Sequence, residues 1–295
     1  MKRIGVIANC RKPHSAAVLL RLAAKARDMG IVLVTSDQTG DLLPDAEHVE
    51  VDRFAEQVDV MMALGGDGTM LRTVRILNGA NTPVLGVNLG SLGFMTSVTE
   101  EALEHAVEVL VRKEFTLSER TLVDCVIFRR DRDVARYTSL NDVVVGWGAS
   151  SRVLTLGVSI DEDDVAQYVC DGLIVSTPTG STGHSLSAGG PIVHPESPVF
   201  TVNVICPHTL SARPLVVPDR SAIRVQVLDI PGNKRPLLSA DGQGEFVLEA
   251  GDRLEMSKHP HCARFIHLPE YSYFSVLRQK LHWRGSSRDE IGSIK

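Results

Sequence analysis

Hydrophobic and polar positions along the first 118 residues follow two alternating periods. Ile4–Ala8 is a short unbroken apolar run, as expected of a strand buried on both faces of a parallel sheet. From Ser15 to Met29 apolar residues fall at 18, 19, 22, 23, 26 and 29, which is helical spacing, and Gly30 suits the C-terminal cap. Ile31–Val34 and Val58–Leu64 predict two more strands. The second runs into Gly65-Gly66-Asp67-Gly68-Thr69, and apolar positions 70, 71, 74 and 77 predict a helix directly afterwards, stopping at Gly79. Val84–Val87 reads as a strand and residues 100–112 as a helix. Such alternation predicts a parallel sheet with helices on its faces.

The pattern changes from about Leu122 to His267. Short runs rich in Val, Ile, Leu and Thr, such as Leu122–Phe128, Val153–Ile160, Ile223–Leu228 and Phe246–Leu248, are separated by Gly, Pro, Asp and Asn. Helical periodicity is nearly absent, so this part reads as all-β. Apolar positions 273, 274, 277 and 281 then predict an amphipathic helix over Tyr271–Trp283, followed by a polar, frayed tail at Gly285–Lys295. The expected organisation is an α/β domain over 1–118, completed by the helix 271–284, and a β-rich domain over 119–270.

Composition narrows the partners. Apolar residues are 43% of the chain, enough for a sizeable core, and the net charge is -5 with a pI near 6.1. Nucleic acid and anionic membranes select a basic face and are not expected partners. No uncharged apolar run reaches the ~18 residues of a membrane-spanning helix. The N-terminal apolar run is too short for a signal peptide, so a cytoplasmic protein is expected. Cys10, Cys125, Cys170, Cys206 and Cys262 are widely spaced, which predicts reduced thiols rather than a disulfide or zinc framework.

Two loops carry candidate chemistry. Gly65–Thr69 joins a predicted strand to a predicted helix, where open α/β sheets bind ligands and where helix N–H groups favour phosphate. Its three glycines let the backbone approach a phosphate and adopt positive φ. It is neither a Walker A loop nor GxGxxG. Asp67 repels phosphate, so it needs another use: accepting the proton of an attacking hydroxyl, or capping the helix that follows. The second loop follows the apolar strand Leu173–Val175. Hydroxyls at 176, 177, 179, 181, 182, 185 and 187 are interleaved there with glycines and Pro178. A polar ligand loop explains this stretch better than a flexible linker.

These loops carry a family resemblance. GGDGT at 65–69 is shared by several kinases, including lipid kinases. DGLIVSTPTGST at 171–182 and SLSAGGPIV at 185–193 resemble the NAD kinase family in particular. So do GVNLGSLGF at 86–94, LNDVVV at 140–145, CPHTLSARPLVV at 206–217 and SYFSVLRQKLHW at 272–283. The resemblance runs in family order over nearly the whole chain. It implies an α/β domain and a C-terminal, sandwich-like all-β domain, with the last helix returning to the first. It also implies transfer of a phosphoryl group from ATP or polyphosphate to the 2′-hydroxyl of the adenosine ribose of NAD, giving NADP. Asp67 would be the general base. Gly66, Gly68, Thr69 and Phe94 would contact the nucleotide or its phosphates. Asn141, Asp142, Asp171, Thr177, Thr182, His184 and Ser187 would contact NAD. Mg²⁺, or another divalent cation, would be bound mainly through nucleotide phosphates with few protein ligands, and the chain would form homodimers or homotetramers.

The sequence departs from the family pattern twice. Asp142 stands where the family has Glu, and Gly183-His184 where most bacterial members have Ala-Tyr. Asn141-Asp142 also suits a plain turn leading into a strand. His184 reads as tolerated drift or as a changed acceptor, such as NADH or another adenosine compound, with drift preferred. A lipid kinase is disfavoured by the polar second loop. A non-catalytic NAD(P) sensor is disfavoured by the intact Asp67 loop. Asp241-Gly242 resembles a DGQ turn of the family, and a turn role fits it at least as well as a site role; His208, His259, His261 and His267 read as structural.

Overall fold

The computed structural model describes residues 1–36, 38–90, 93–147, 153–232 and 235–283, with backbone alone at Asp52. The polar tail over 285–295 lies outside the described residues. The chain divides into two compact units. One comprises Met1–Thr73, Thr82–Leu117 and the chain from Phe265 on; the other comprises Val74–Asn81 and Ser118–Arg264.

The first unit is built on strands β1 (Arg3–Ala8), β2 (Val32–Thr35), β3 (Glu47–His48), β4 (Val60–Gly65), β5 (Val84–Asn88) and β6 (Val98–Thr99). They pair in parallel in the order β6-β5-β4-β1-β2-β3. β4 and β5 are buried along their whole length, as their unbroken apolar sequences require. Helices α1 (Ser15–Asp28), α2 (starting at Asp67 and running to Leu77) and α3 (Leu103–Arg112) follow strands in the βα manner. α1 buries Val18, Leu19, Leu22 and Ala26 and leaves Leu20 outside, so its apolar stripe faces the sheet. Arg21 forks onto Glu104, tying α1 to α3.

The second unit holds β7 (Thr116–Arg129), β8 (Arg132–Ser139), β9 (Asp142–Gly146), β10 (Leu154–Ile160), β11 (Asp163–Cys170) and β12 (Gly172–Ser176). After the short helix α4 (His184–Ser187) come β13 (Val199–Ile205), β14 (Leu215–Pro218), β15 (Ile223–Asp229), β16 (Leu237–Ala240), β17 (Gly244–Val247) and β18 (Arg253–His267). One antiparallel sheet runs β14-β13-β12-β9-β16-β17. The other runs β11-β10-β15-β18, with β7 beside β18 and β8 beside β7. Inward residues of both sheets form one core, including Cys125, Val145, Leu156, Val175, Phe200, Val225, Leu238 and Leu254. The far end of β18 belongs to the first unit, where Phe265 pairs with Val84 of β5.

Several local features differ from the expected pattern. The hydroxyl-rich loop is wound into a 3₁₀ turn over Thr179–Thr182 and then α4, both too short to leave a helical period in the sequence. A 3₁₀ segment over Val51–Gln57 is likewise without such a period. The closing helix, α5 (Tyr273–Lys280), is shorter than the apolar spacing implied. It starts where the Ser272 hydroxyl accepts from the Ser275 N–H at 3.4 Å.

Phe200 is fully buried in the core of the second unit. Phe200→Ala is therefore expected to cost about 3–5 kcal/mol. Urea unfolding of parent and variant checks this through the fall in the unfolding midpoint.

Candidate functional site

In the first unit three loops leave the C-terminal ends of the neighbouring strands β1, β4 and β5. Their start is fixed by backbone bonds that prolong the ladders, Asn9 N–H to Leu64 C=O and Leu89 N–H to Gly65 C=O, both 2.9 Å. The middle loop turns at Gly66, between the last residue of β4, Gly65, and the first residue of α2, Asp67. Gly65 needs its missing side chain because a Cβ there would lie 2.0 Å from Thr69 Oγ1. Cβ atoms at Gly66 or Gly68 would meet nothing within 4 Å, so the backbone faces open space there. The expected positive φ is not found at these glycines, since the left-handed glycines of the described chain lie elsewhere. The partial positive charge at the start of α2 favours an anion against this open backbone, while the Thr69 and Met70 N–H groups already turn back onto Gly66 C=O at 2.9 and 3.2 Å.

Asp67 is the first residue of α2 rather than the residue capping it. Its carboxylate crosses to the loop after β5 and accepts from the backbone N–H groups of Phe94 (Oδ2, 3.0 Å) and Met95 (Oδ1, 3.0 Å). Gly93 makes room for it, because a Cβ there would stand 2.1 Å from Asp67 Oδ1. The Thr96 hydroxyl holds the same loop by accepting from the Gly93 N–H at 3.0 Å and the Asn88 side-chain amide at 3.2 Å. Phe94 is half-buried, with Lys280 Nζ of α5 lying 6.0 Å from its ring centre.

In the second unit Asn141 and Asp142 stand where β9 begins, beside the turn that follows β12. Asp241 gathers the backbone of that place. Its Oδ2 accepts from the Leu140 N–H at 2.9 Å, and its Oδ1 accepts from Asn141 at 2.7 Å and Asp142 at 3.2 Å. Burial pushes the Asp241 carboxyl up to about 6 against the pull of these three N–H groups, and the nearby Asp142 charge adds to the rise. Thr177 braces the other side. It donates its hydroxyl to Leu140 C=O and its N–H to Asn141 C=O (2.9 Å), and its hydroxyl accepts from Gly180 N–H at 3.2 Å. Gly180 is obligatory, since a Cβ would sit 2.1 Å from Asn141 C=O.

This bracing leaves two acceptors without partners. Asn141 Oδ1 and Asp142 Oδ1 are buried and unpaired among the described residues, which is costly unless a ligand donor satisfies them. The other Asp142 oxygen lies 3.6 Å from His184 Nδ1, within ion-pair reach but beyond hydrogen-bond distance. Contact with the carboxylate raises the His184 pKa above the ordinary histidine value, its charge adds to the rise, and burial opposes it. Asp142 is almost wholly enclosed whereas His184 is 67% exposed, so the imidazole forms an outer wall over the carboxylate.

Asn141, Asp142, Thr177, Thr182 and His184 are thus gathered at one end of β12. Thr182 donates its hydroxyl to Thr179 C=O at 3.4 Å within the turn, and Ser187 is exposed at the end of α4. Asp171 is not brought there. Ser176 pairs with Asp142 and Gly172 with Gly146, so Asp171 lies at the opposite end of the strand, about 17 Å away. Its carboxylate has no partner among the described residues. Thr177 is enclosed and bonded internally, which makes it a strut of the loop. The sequence does not show Gly93 as the clearance for Asp67, and it leaves Asp241 between a turn role and a site role; its φ of 52° suits the turn. Among the described residues no group of three or more His, Cys, Asp or Glu is placed to hold a metal ion, and no helix is long and apolar enough to cross a membrane.

A glycine cradle at the C-terminal edge of a parallel sheet, with a fixed carboxylate and a β-sandwich bearing a hydroxyl-rich loop, defines a phosphotransferase of the GGDGT kind. Residues 4–115 match the family model for the ATP-NAD kinase N-terminal domain and residues 140–268 that for the C-terminal domain. The chain is 40% identical over 285 residues to an NAD kinase of Syntrophotalea carbinolica, covering 96% of this chain and 99% of that one. It belongs to the NAD kinase family. Its fold is similar to that of yeast NADH kinase solved with NADH, with a TM-score of 0.89 at 23% identity over 98% of this chain and 89% of that one. It is also similar to an NAD kinase from Archaeoglobus fulgidus solved with ATP, with a TM-score of 0.76 at 24% identity over 96% and 100% of the two chains.

A histidine whose pKa is raised on folding stabilises the protein fully below its unfolded pKa, and this contribution fades as pH rises through the folded value. His184→Ala is expected to lower the melting temperature at about pH 6 and to leave it unchanged by about pH 9. Thermal melts of parent and variant across that range check the sign; a deficit that grows toward alkaline pH contradicts the Asp142 contact.

Proposed function

We propose that this protein transfers the γ-phosphoryl group of ATP to the 2′-hydroxyl of the adenosine ribose of NAD, producing NADP. The observation that carries this reading is the Asp67 carboxylate, pinned by two backbone N–H groups at the head of an open glycine cradle. Phosphoryl transfer asks for positioning and charge stabilisation more than covalent chemistry. Gly66, Gly68 and Thr69 supply the backbone that receives the donor phosphates. Asp67 accepts the proton of the attacking hydroxyl through a lone pair that its two N–H partners leave available. Asn141 and Asp142 offer unpaired acceptors to hydroxyl or amine groups of the acceptor nucleotide, and the loop carrying Thr182, His184 and Ser187 flanks them.

A divalent cation, Mg²⁺ in the first instance, fits this site as a companion of the nucleotide. The glycine loop offers one carboxylate, already engaged with two N–H groups, which is too poor a donor set for a protein-held ion. When bound, the ion neutralises phosphate charge. The family resemblance supports a cytoplasmic homo-oligomer, with polyphosphate as the alternative donor to ATP. Asp171, at the far end of β12, remains a candidate contact by resemblance alone.

The assay is incubation with Mg²⁺, ATP and NAD, reading NADP with an NADP-specific dehydrogenase. Asp67→Asn is expected to lower turnover at least about 100-fold while ATP still raises the melting temperature. Near-parent turnover in that variant removes Asp67 from the mechanism.

A further inference from the structure

The loop after β1 is as firmly held as the two beside it, and it carries a cation that the proposed reaction has not used. Lys12 donates its N–H to Asn9 C=O at 3.1 Å. Its own carbonyl accepts from the Ser15 N–H at 3.1 Å and the Ser15 hydroxyl at 2.9 Å. That hydroxyl also reaches Asn9 C=O at 2.6 Å, and Ser15 is buried. The backbone at Lys12 is therefore fixed at both its polar groups, although its side chain is exposed.

The side chain has a definite destination. Lys12 Nζ lies 3.3 Å from where a Cβ on Gly90 would stand, and Gly90 belongs to the loop after β5. β4 lies between β1 and β5. A side chain rooted after β1 and ending beside Gly90 therefore crosses the C-terminal end of β4, where Gly65 and Gly66 open the cradle. Asn9 Cβ is only 3.2 Å from the position of a Cβ on Gly65, so the root of the lysine loop touches the same glycine. Lys12 forms no ion pair with the described residues. An ammonium without an ion pair among the described residues thus spans a backbone cradle in which Gly66 and Gly68 face open space, at the positive end of α2.

We infer that Lys12 binds the phosphate chain of the phosphoryl donor, holding it across the Gly65–Gly68 cradle; this rests on the kinase reading above. A primary ammonium is a compact, mobile point charge that can follow a phosphate from ground state to transition state. Its place in the first unit, beside the glycine loop, assigns it to the donor rather than to the acceptor nucleotide.

The test uses Lys12→Met, Lys12→Gln and Lys12→Arg in the full chain, with steady-state kinetics in ATP and NAD and thermal shift with inorganic tripolyphosphate. Loss of one charge-assisted contact is expected to raise the KM for ATP about 10- to 100-fold in the Met and Gln variants, with the KM for NAD unchanged. Tripolyphosphate is expected to raise the melting temperature of the parent, the Met and Gln variants to lose this shift and the Arg variant to keep most of it; no shift in the parent also overturns the proposal. Parent-like ATP KM and tripolyphosphate shift in Lys12→Met overturn the proposal, as does a rise confined to the KM for NAD. If the parent makes no NADP, the function proposed above fails. The tripolyphosphate shift then still decides whether Lys12 holds a phosphate chain.

Discussion

Carboxylates that capture backbone N–H groups of distant loops are the constraint on which this molecule depends. Asp67 takes two such groups from the segment after β5, and Asp241 takes three from the start of β9. Asp59 repeats the device at the chain's beginning, taking the N–H groups of Lys2 and Arg3. Asp252 makes the capture locally, accepting from the N–H of Glu249 three residues earlier, and its distant partner is Arg129, which forks onto it. Charge-assisted bonds of this sort are stronger than neutral ones, and each replaces water at N–H groups the sheets leave unpaired. The loops are consequently fixed before any ligand arrives, as catalysis by positioning requires.

Fixing the loops this way decides which polar atoms stay free. Thr177 and Ser181 have hydroxyls engaged inside the protein, with Ser181 bridging Pro178 and Val193. The side-chain acceptors of Asn141 and Asp142 stay open because the turn's backbone is already satisfied by Asp241 and Thr177. A dense run of hydroxyls thus resolves into a rigid support and a small recognition face.

The layers of the fold were legible because burial imposes periods on the chain. β4 and β5, covered on both faces, read as unbroken apolar runs, and α1 shows its stripe at every third and fourth residue. The 3₁₀ segments and the two-residue strands β3 and β6 left no trace, since so few residues carry no period. The site was legible at the level of loops: Gly65–Thr69 and Ser176–Ser187 were both visible from their glycines and hydroxyls. Roles within the loops were less so. The reach of Asp67 to Phe94, of Asp241 to Asn141 and of His184 to Asp142 joins residues far apart in sequence, and no local spacing encodes such contacts. Thr177 illustrates the gap. Its hydroxyl is as suitable for a ligand as its neighbours' until the fold turns it inward.

The absence of a side chain at Gly93 has a further consequence for how such a chain can be recombined. The carboxylate of Asp67 occupies the volume that any larger residue at position 93 would claim, so a side chain at 93 must displace it. A chimera whose crossover falls between α2 and the segment after β5 keeps this fit only if the donor sequence also brings a glycine there. Natural crossovers that preserve activity should therefore respect a linkage group of which either half, read alone, shows only a short polar turn.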